Sequence, residues 1–108
     1  MVRQDQIAGA QTSKVTTNAV AHRLKCWPEF FDPIRRGLKT HDLRRADDRA
    51  FAVGDKILLE EYDPESRAYT GRSVVVRITY ITSSDVPCAL SQDALHPNFC
   101  ILSIALCG

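Results

Sequence analysis

A run of β-branched residues from Arg72 to Thr82 constrains the fold of this chain more than any other stretch. The residues after the arginine, SVVVRITYIT, favour strands over helices. Alternation places four large side chains on one face, and these are Val74, Val76, Ile78 and Tyr80. The other face is also largely apolar, so the strand should be buried over much of both faces. Such a strand belongs in the middle of a sheet or barrel.

Four further strands and a short helix are predicted around it. Alternating residues indicate strands at 20–26, 40–45 and 56–62, and an almost wholly apolar run indicates a last strand at 99–106. Trp27-Pro28 ends the first of these and starts a helix, because proline lacks a ladder donor and fits the first helical turn. A further helical turn is expected within 89–95. The predicted fold class is mostly β with one or two short helices (α+β), a small barrel of about five strands.

The predicted helix has one apolar stripe facing the core, made of Phe30, Phe31, Ile34 and Leu38. Pro33 would remove a helical hydrogen bond, so we expect a short or broken helix. Arg35 and Arg36 fall in its last turn, where cations complement the carbonyl end. Gly37 is a suitable left-handed terminator.

The length of 108 residues fits one domain. Residues 1–19 are rich in Gln, Thr, Ser and Ala without a period and predict a flexible N-terminal tail, which leaves 20–108 as the folded domain. No long apolar stretch and no signal-peptide layout occur, so we expect a cytoplasmic protein with no membrane partner. The four cysteines have neither a CxxC pair nor zinc-like spacing, and we predict free thiols with no metal or cofactor.

The net charge of +1 conceals an uneven distribution. Residues 34–45 carry five cations and one carboxylate, for a net charge of +4, whereas residues 54–65 carry one cation and five carboxylates, for −4. Only the basic part could attract phosphate or another anion. The alternative is two solvated faces that partly neutralise each other.

The segment from Gly37 to Arg45 concentrates the unusual chemistry. In a strand, Thr40, Asp42 and Arg44 point to one side and His41 to the other. Lysine is a point charge and arginine a planar fork that matches phosphate. Lys39, Thr40, Asp42 and Arg44 are therefore candidates for an anion-binding cleft lined by residues 39–44. The structural alternative is that Asp42 and Arg44 pair with each other or with the carboxylates at 60 and 61.

Aromatic side chains decide whether such a cleft could hold nucleic acid, because single-stranded bases are held by stacking. Phe30 and Phe31 are assigned to the core, which leaves Trp27 and Tyr69 as the stacking candidates. Packing in the core is the alternative for both.

The order of motifs resembles a bacterial and phage family of unknown function in the ASCH (activating signal cointegrator homology) group, whose fold is similar to the PUA barrel of RNA-modifying enzymes. The resemblance covers residues 20–106. The motifs that carry it are His22-x-Leu24-Lys25, Pro28-Glu29-x-Phe31, Gly37-x-Lys39-Thr40-x-Asp42-x-Arg44, Phe51-x-Val53-Gly54-Asp55, Glu60-x-Tyr62 and Tyr69-Thr70-Gly71-Arg72. It implies a PUA-like barrel with a cleft beside the helix and a role in binding RNA or a nucleotide-like ligand, by analogy of fold.

Two other classes of function stay open. Some small ASCH proteins are amidohydrolases of an acylated cytidine nucleoside, and Lys39 matches the lysine of their Lys-Thr-x-Thr signature. Asp42 stands where their nucleophilic threonine would be, and Arg77 lies where a glutamate is expected, so this activity is disfavoured. A ribonuclease could use His22 or His41 as a base, although a lone histidine on a half-buried strand is more often structural. The last alternative is a phage or mobile-element accessory protein that binds another protein. We therefore predict a ligand-binding domain without catalytic residues.

Overall fold

The computed structural model describes residues 19–85 and 89–107, and the predicted tail lies almost entirely outside this part. Strands take 49% of the described residues and helices 14%, which confirms a mostly β fold with two short helices. The strands are β1 (His22–Cys26), β2 (His41–Arg45), β3 (Lys56–Asp63), β4 (Ala68–Ser83) and β5 (Phe99–Leu106). The helices are α1 (Pro28–Arg35) and α2 (Ser91–Ala94).

All five strands form one sheet in the order β1-β3-β4-β5-β2. The β1–β3 pair is parallel, and the other three pairs are antiparallel. The sheet curls into a half-barrel, in which β1 and β2 are the two edges. A side chain joins these edges, because Arg44 Nη2 on β2 donates to the Lys25 carbonyl on β1 (2.8 Å). The predicted barrel is therefore open along a seam between β1 and β2.

The core lies on the concave face of this sheet. Alternate residues of β3, β4 and β5 are buried there, as the period of two predicts, and α1 adds Phe31 and Ile34. The central position of β4 in the sheet is confirmed, but burial of both faces was wrong, because Arg77 and Thr79 on the second face are exposed.

Tyr80 was expected beside Val76 and Ile78 on the buried face, and this was wrong. The pairing of β4 with β5 shifts register between Ile78 and Tyr80, which is the mark of a β-bulge. The extra residue turns Tyr80 outwards, and Ile81 packs against the core in its place.

Helix α1 begins with Pro28 at its first turn and runs unbroken through Pro33. It ends in a Schellman motif, in which the Leu38 N–H donates to the Pro33 carbonyl and the Gly37 N–H to the Ile34 carbonyl. Gly37 has a φ of +77°, so its role as terminator is confirmed. The apolar stripe is narrower than predicted: Leu38 lies beyond the helix end, and Phe30 lies at the flank of the buried face, so both are exposed.

Helix α2 falls within the predicted helical turn, and none of the helices in the described ranges has the length and hydrophobicity needed to cross a bilayer. Within 19–85 and 89–107, the thiols of Cys26, Cys100 and Cys107 are free, and the first two are buried.

Candidate functional site

A cleft of about 510 Å³ opens at the seam between the two edge strands. Clefts of this size hold small molecules or single nucleotides. Residues at the end of β1, the start of α1 and along β2 line it, and these are Lys25, Cys26, Trp27, Phe30, Lys39, His41, Asp42, Leu43 and Arg44. The cleft exists because the sheet curls without closing, so the two edges face each other and the Arg44 side chain bridges them.

The polar floor of the cleft is built around Asp42, which is only 8% exposed. Arg44 Nε donates to Asp42 Oδ2 (2.8 Å), and the same guanidinium reaches the Lys25 carbonyl. Lys39 Nζ donates to the His41 carbonyl (2.6 Å) and lies 4.0 Å from Asp42 Oδ1. Two cations therefore neutralise one buried carboxylate, and its Oδ1 atom has no protein hydrogen bond among the described residues.

The apolar wall of the cleft consists of two exposed aromatic side chains at the start of α1. The Trp27 and Phe30 rings are stacked at 6.5 Å between centroids and 22° between planes. They are 48% and 43% exposed, so both rings are open to a ligand. Lys39 Nζ lies 5.9 Å from the Phe30 centroid and so joins the aromatic wall to the polar floor.

The structure brings four of the six predicted ligand residues into this cleft, namely Trp27, Lys39, Asp42 and Arg44. Thr40 instead lines a smaller pocket of about 170 Å³ on the other side of Lys39, and its carbonyl accepts from the Ile104 N–H. Tyr69 lies outside both pockets, on the β3–β4 hairpin.

Sequence reasoning missed Lys25 and Cys26 as lining residues, whereas His41 falls within the predicted range 39–44. His41 was expected on the opposite strand face from Asp42, and it is indeed exposed where Asp42 is buried. It still lines the cleft, because an edge strand beside an open seam offers both of its faces. Phe30 was missed because it was assigned to the core.

The buried thiol of Cys26 forms part of the cleft wall. Burial, and then the Asp42 carboxylate, raise the pKa of Cys26 to about 11. The group is therefore a neutral thiol at physiological pH and a poor nucleophile.

A second polar cluster holds α1 in place. Glu61, 3% exposed, accepts from Arg72 Nε and Nη2 (both 2.9 Å) and from Thr70 Oγ1 (2.6 Å). Arg72 Nη2 also reaches Asp32 on α1 (3.3 Å). These hydrogen bonds, led by the one from Arg72, hold the pKa of Glu61 below its ordinary value. The cluster links the hairpin to the helix whose first turn forms the aromatic wall.

The opposite charges of the two segments are largely neutralised locally. Three of the five carboxylates of the acidic segment have side-chain partners outside it: Glu60 pairs with Arg23, Glu61 pairs with Arg72, and Asp55 is hydrogen-bonded to His22. The cations of the basic segment also have nearby carboxylates, in the pairs Arg35–Asp32, Arg44–Asp42 and Arg45–Asp47. Asp42 and Arg44 pair with each other, which is one of the two structural alternatives considered for them; they do not pair with Glu60 or Glu61. The two charged segments therefore do not form extended faces of opposite sign.

Among the residues placed by the structure, no group of three or more His, Cys, Asp or Glu side chains is arranged to hold a metal ion. No curated protein matches the sequence closely enough to count as a relative. A family model described as a domain of unknown function, DUF3850, matches residues 21–104. The matched range includes the whole seam cleft and all of the strands apart from the last two residues of β5. The chain therefore belongs to the DUF3850 family.

Proposed function

We propose that this domain binds RNA or a nucleotide-like ligand, with one base held in the seam cleft. The observation that carries the proposal is the combination of an aromatic wall, a buried carboxylate and nearby cations in one cleft of about 510 Å³. An aromatic face stacks on a base, a carboxylate accepts from its amino or imino groups, and lysines neutralise the attached phosphate.

Asp42 gives this cleft its chemical preference. Its Oδ2 atom is occupied by Arg44, whereas Oδ1 faces Lys39 at a distance longer than a hydrogen bond. A bare anion has no hydrogen bond to donate to this carboxylate, whereas a base edge or a ribose hydroxyl can donate to Oδ1. The arrangement therefore favours a ligand that carries both donors and a negative charge, as a nucleotide does.

The ordered motifs that resemble the ASCH group support the same proposal by analogy. From the segment Gly37-x-Lys39-Thr40-x-Asp42-x-Arg44, the side chains of Lys39, Asp42 and Arg44 line the seam cleft, whereas Gly37 and Thr40 line the smaller pocket. A half-barrel with such a cleft is compatible with a PUA-like mode of binding, in which the protein holds the ligand and does no chemistry on it.

Trp27 makes the proposal directly measurable, because it is the only tryptophan of the chain and it lines the cleft. Titration with the four nucleoside monophosphates and with short single-stranded RNA should quench its fluorescence. Lys39→Ala should weaken RNA binding and reduce the slope of log K against log salt by about 0.7. Arg77→Ala removes one positive charge from an exposed position of β4 outside the cleft, and it should change neither value.

The outcomes separate a binder from an enzyme. Binding that is identical in Lys39→Ala and the wild type would overturn the proposed site. Turnover of labelled RNA or of an acylated nucleoside, abolished by His41→Ala or Lys39→Ala, would replace the binding function with a hydrolase that uses the same cleft.

A further inference from the structure

Lys25 links the cleft to a second exposed surface. Its side chain lines the cleft from β1, and its Nζ atom lies 4.2 Å from the centroid of the Tyr62 ring and 5.9 Å from that of Tyr69. Within the described residues no carboxylate forms an ion pair with Lys25. This ammonium group is therefore held in position by aromatic rings and is free to contact an anion.

The two tyrosines form a stacking surface beside Lys25. They face each other across the β3–β4 hairpin in an edge-on pair, with centroids 5.1 Å apart and 72° between planes. Tyr62 is half-buried and supports Tyr69, which is 54% exposed. A large ring that is fixed by a neighbour and open to solvent can accept a flat base at a low cost in side-chain entropy.

The two carboxylates nearest to Lys25 along β3 are each paired with an arginine. Glu60, the residue of β3 in register with Lys25, is bound by Arg23 (2.9 Å). The next carboxylate, Glu61, is buried and held by Arg72. Asp63 and Glu65 lie at the hairpin turn, where Asp63 Oδ1 accepts from the Glu65 N–H. The carboxylates nearest to Lys25 along β3 are thus neutralised.

We infer that the ligand is single-stranded RNA of at least two nucleotides, with one base in the seam cleft, the next base stacked on Tyr69 and the intervening phosphate at Lys25. This rests on the proposed function and specifies its ligand. A cation between two stacking positions is the arrangement that single-stranded RNA needs, because each phosphate lies between two bases.

Matched ligands isolate the second base. The methyl ester of a nucleoside monophosphate and a dinucleoside monophosphate each carry one singly charged phosphodiester, but only the second has an additional base. In Trp27 fluorescence titrations with each of the four bases, the best dinucleoside monophosphate should bind about 5-fold tighter or more than the matching methyl ester. Tyr69→Ala should remove this gain and leave the affinity for the methyl ester unchanged, whereas Tyr69→Phe should keep it.

One further variant is a control for the tyrosine, and another tests the phosphate contact. Tyr80→Ala removes another exposed tyrosine from the same strand, far from Lys25, and should keep the gain. Lys25→Ala removes the phosphate contact together with the cation–π contact to Tyr62, and it should weaken binding of the dinucleoside monophosphate. Thermal unfolding of each variant shows whether the fold is intact.

The possible failures are distinguishable. If the methyl esters quench Trp27 but the dinucleoside monophosphates bind no tighter, or if Tyr69→Ala and Lys25→Ala both bind the dinucleoside monophosphates like the wild type, the inference is overturned while the proposed function stands. If neither kind of ligand nor longer RNA changes the fluorescence, the proposed function itself has failed.

Discussion

Arg44 should stabilise the seam more than it contributes to ligand binding, and Arg44→Ala tests this. The substitution removes one hydrogen bond to a carboxylate that is only 8% exposed and one to a backbone carbonyl on the opposite edge strand. A hydrogen bond to a charged group contributes about 2 kcal/mol and one to a neutral acceptor about 1 kcal/mol, so we expect a loss of about 3 kcal/mol. In a domain of this size that loss lowers Tm by about 12–24 °C.

Urea unfolding followed by Trp27 fluorescence measures the loss, because the tryptophan lies beside the bridge. Arg44→Lys retains the charge but lacks the planar fork whose Nε and Nη2 atoms reach the two acceptors, and it should lose about half as much. Arg77→Ala removes an equal charge from an exposed position with no ion pair among the described residues, and it should change the free energy by less than about 0.5 kcal/mol. Equal, small losses in Arg44→Ala and Arg77→Ala would refute the role of Arg44 as a bridge.

Three further predictions follow from the packing around the cleft. Hydrogen bonds, led by the one from Arg72, lower the pKa of Glu61 in the folded protein, so the unfolded chain binds a proton at this carboxylate more readily. The free energy of unfolding should therefore fall as pH drops below 4.5, the ordinary pKa of a glutamate, and Glu61→Gln should reduce that fall in urea titrations at acid pH. Cys26, with its pKa raised to about 11, should be alkylated by iodoacetamide far more slowly than Cys107, and equal rates in peptide mapping would contradict its burial. Gly37→Ala should cost about 1 kcal/mol, because φ is +77°, whereas Gly37→Asn should cost less; equal Tm values for these two variants would argue against backbone strain as the cause.

Local periodicity carries most of the information about the fold of this chain. The last strand has the predicted bounds, Phe99–Leu106, because its apolar run is bounded by loop residues on one side. The termination of α1 at Gly37 was predictable because only glycine adopts its conformation without strain. Tyr80 was misplaced because a bulge depends on how two strands pair, and alternation along one strand does not contain that information.

The site was predictable only where its residues are neighbours in sequence. Lys39, Asp42 and Arg44 stand close together along the chain, so their unusual composition could be noticed. Lys25 lines the same cleft although it precedes Arg44 by 19 residues in the sequence. The two residues are close because the sheet curls and brings its edge strands, β1 and β2, together. A single-sequence pattern cannot reveal which two edges of an open sheet face each other.

The pairing of charges limits how strongly any RNA can be held, and this gives a quantitative prediction. Near the cleft, Arg44 is committed to Asp42, which leaves Lys25 and Lys39 as the lysines able to contact phosphate. Two phosphate contacts to a single strand give a slope of log K against log salt of about −1.4. A measured slope of about −4 would mean that cations now paired with carboxylates break these ion pairs and contact RNA phosphates instead. Binding would then be governed by a broad basic surface. A slope close to about −1.4, made less steep to about the same extent by Lys25→Ala and by Lys39→Ala, would indicate that affinity comes mainly from stacking on Trp27 and Tyr69 and from hydrogen bonding to Asp42.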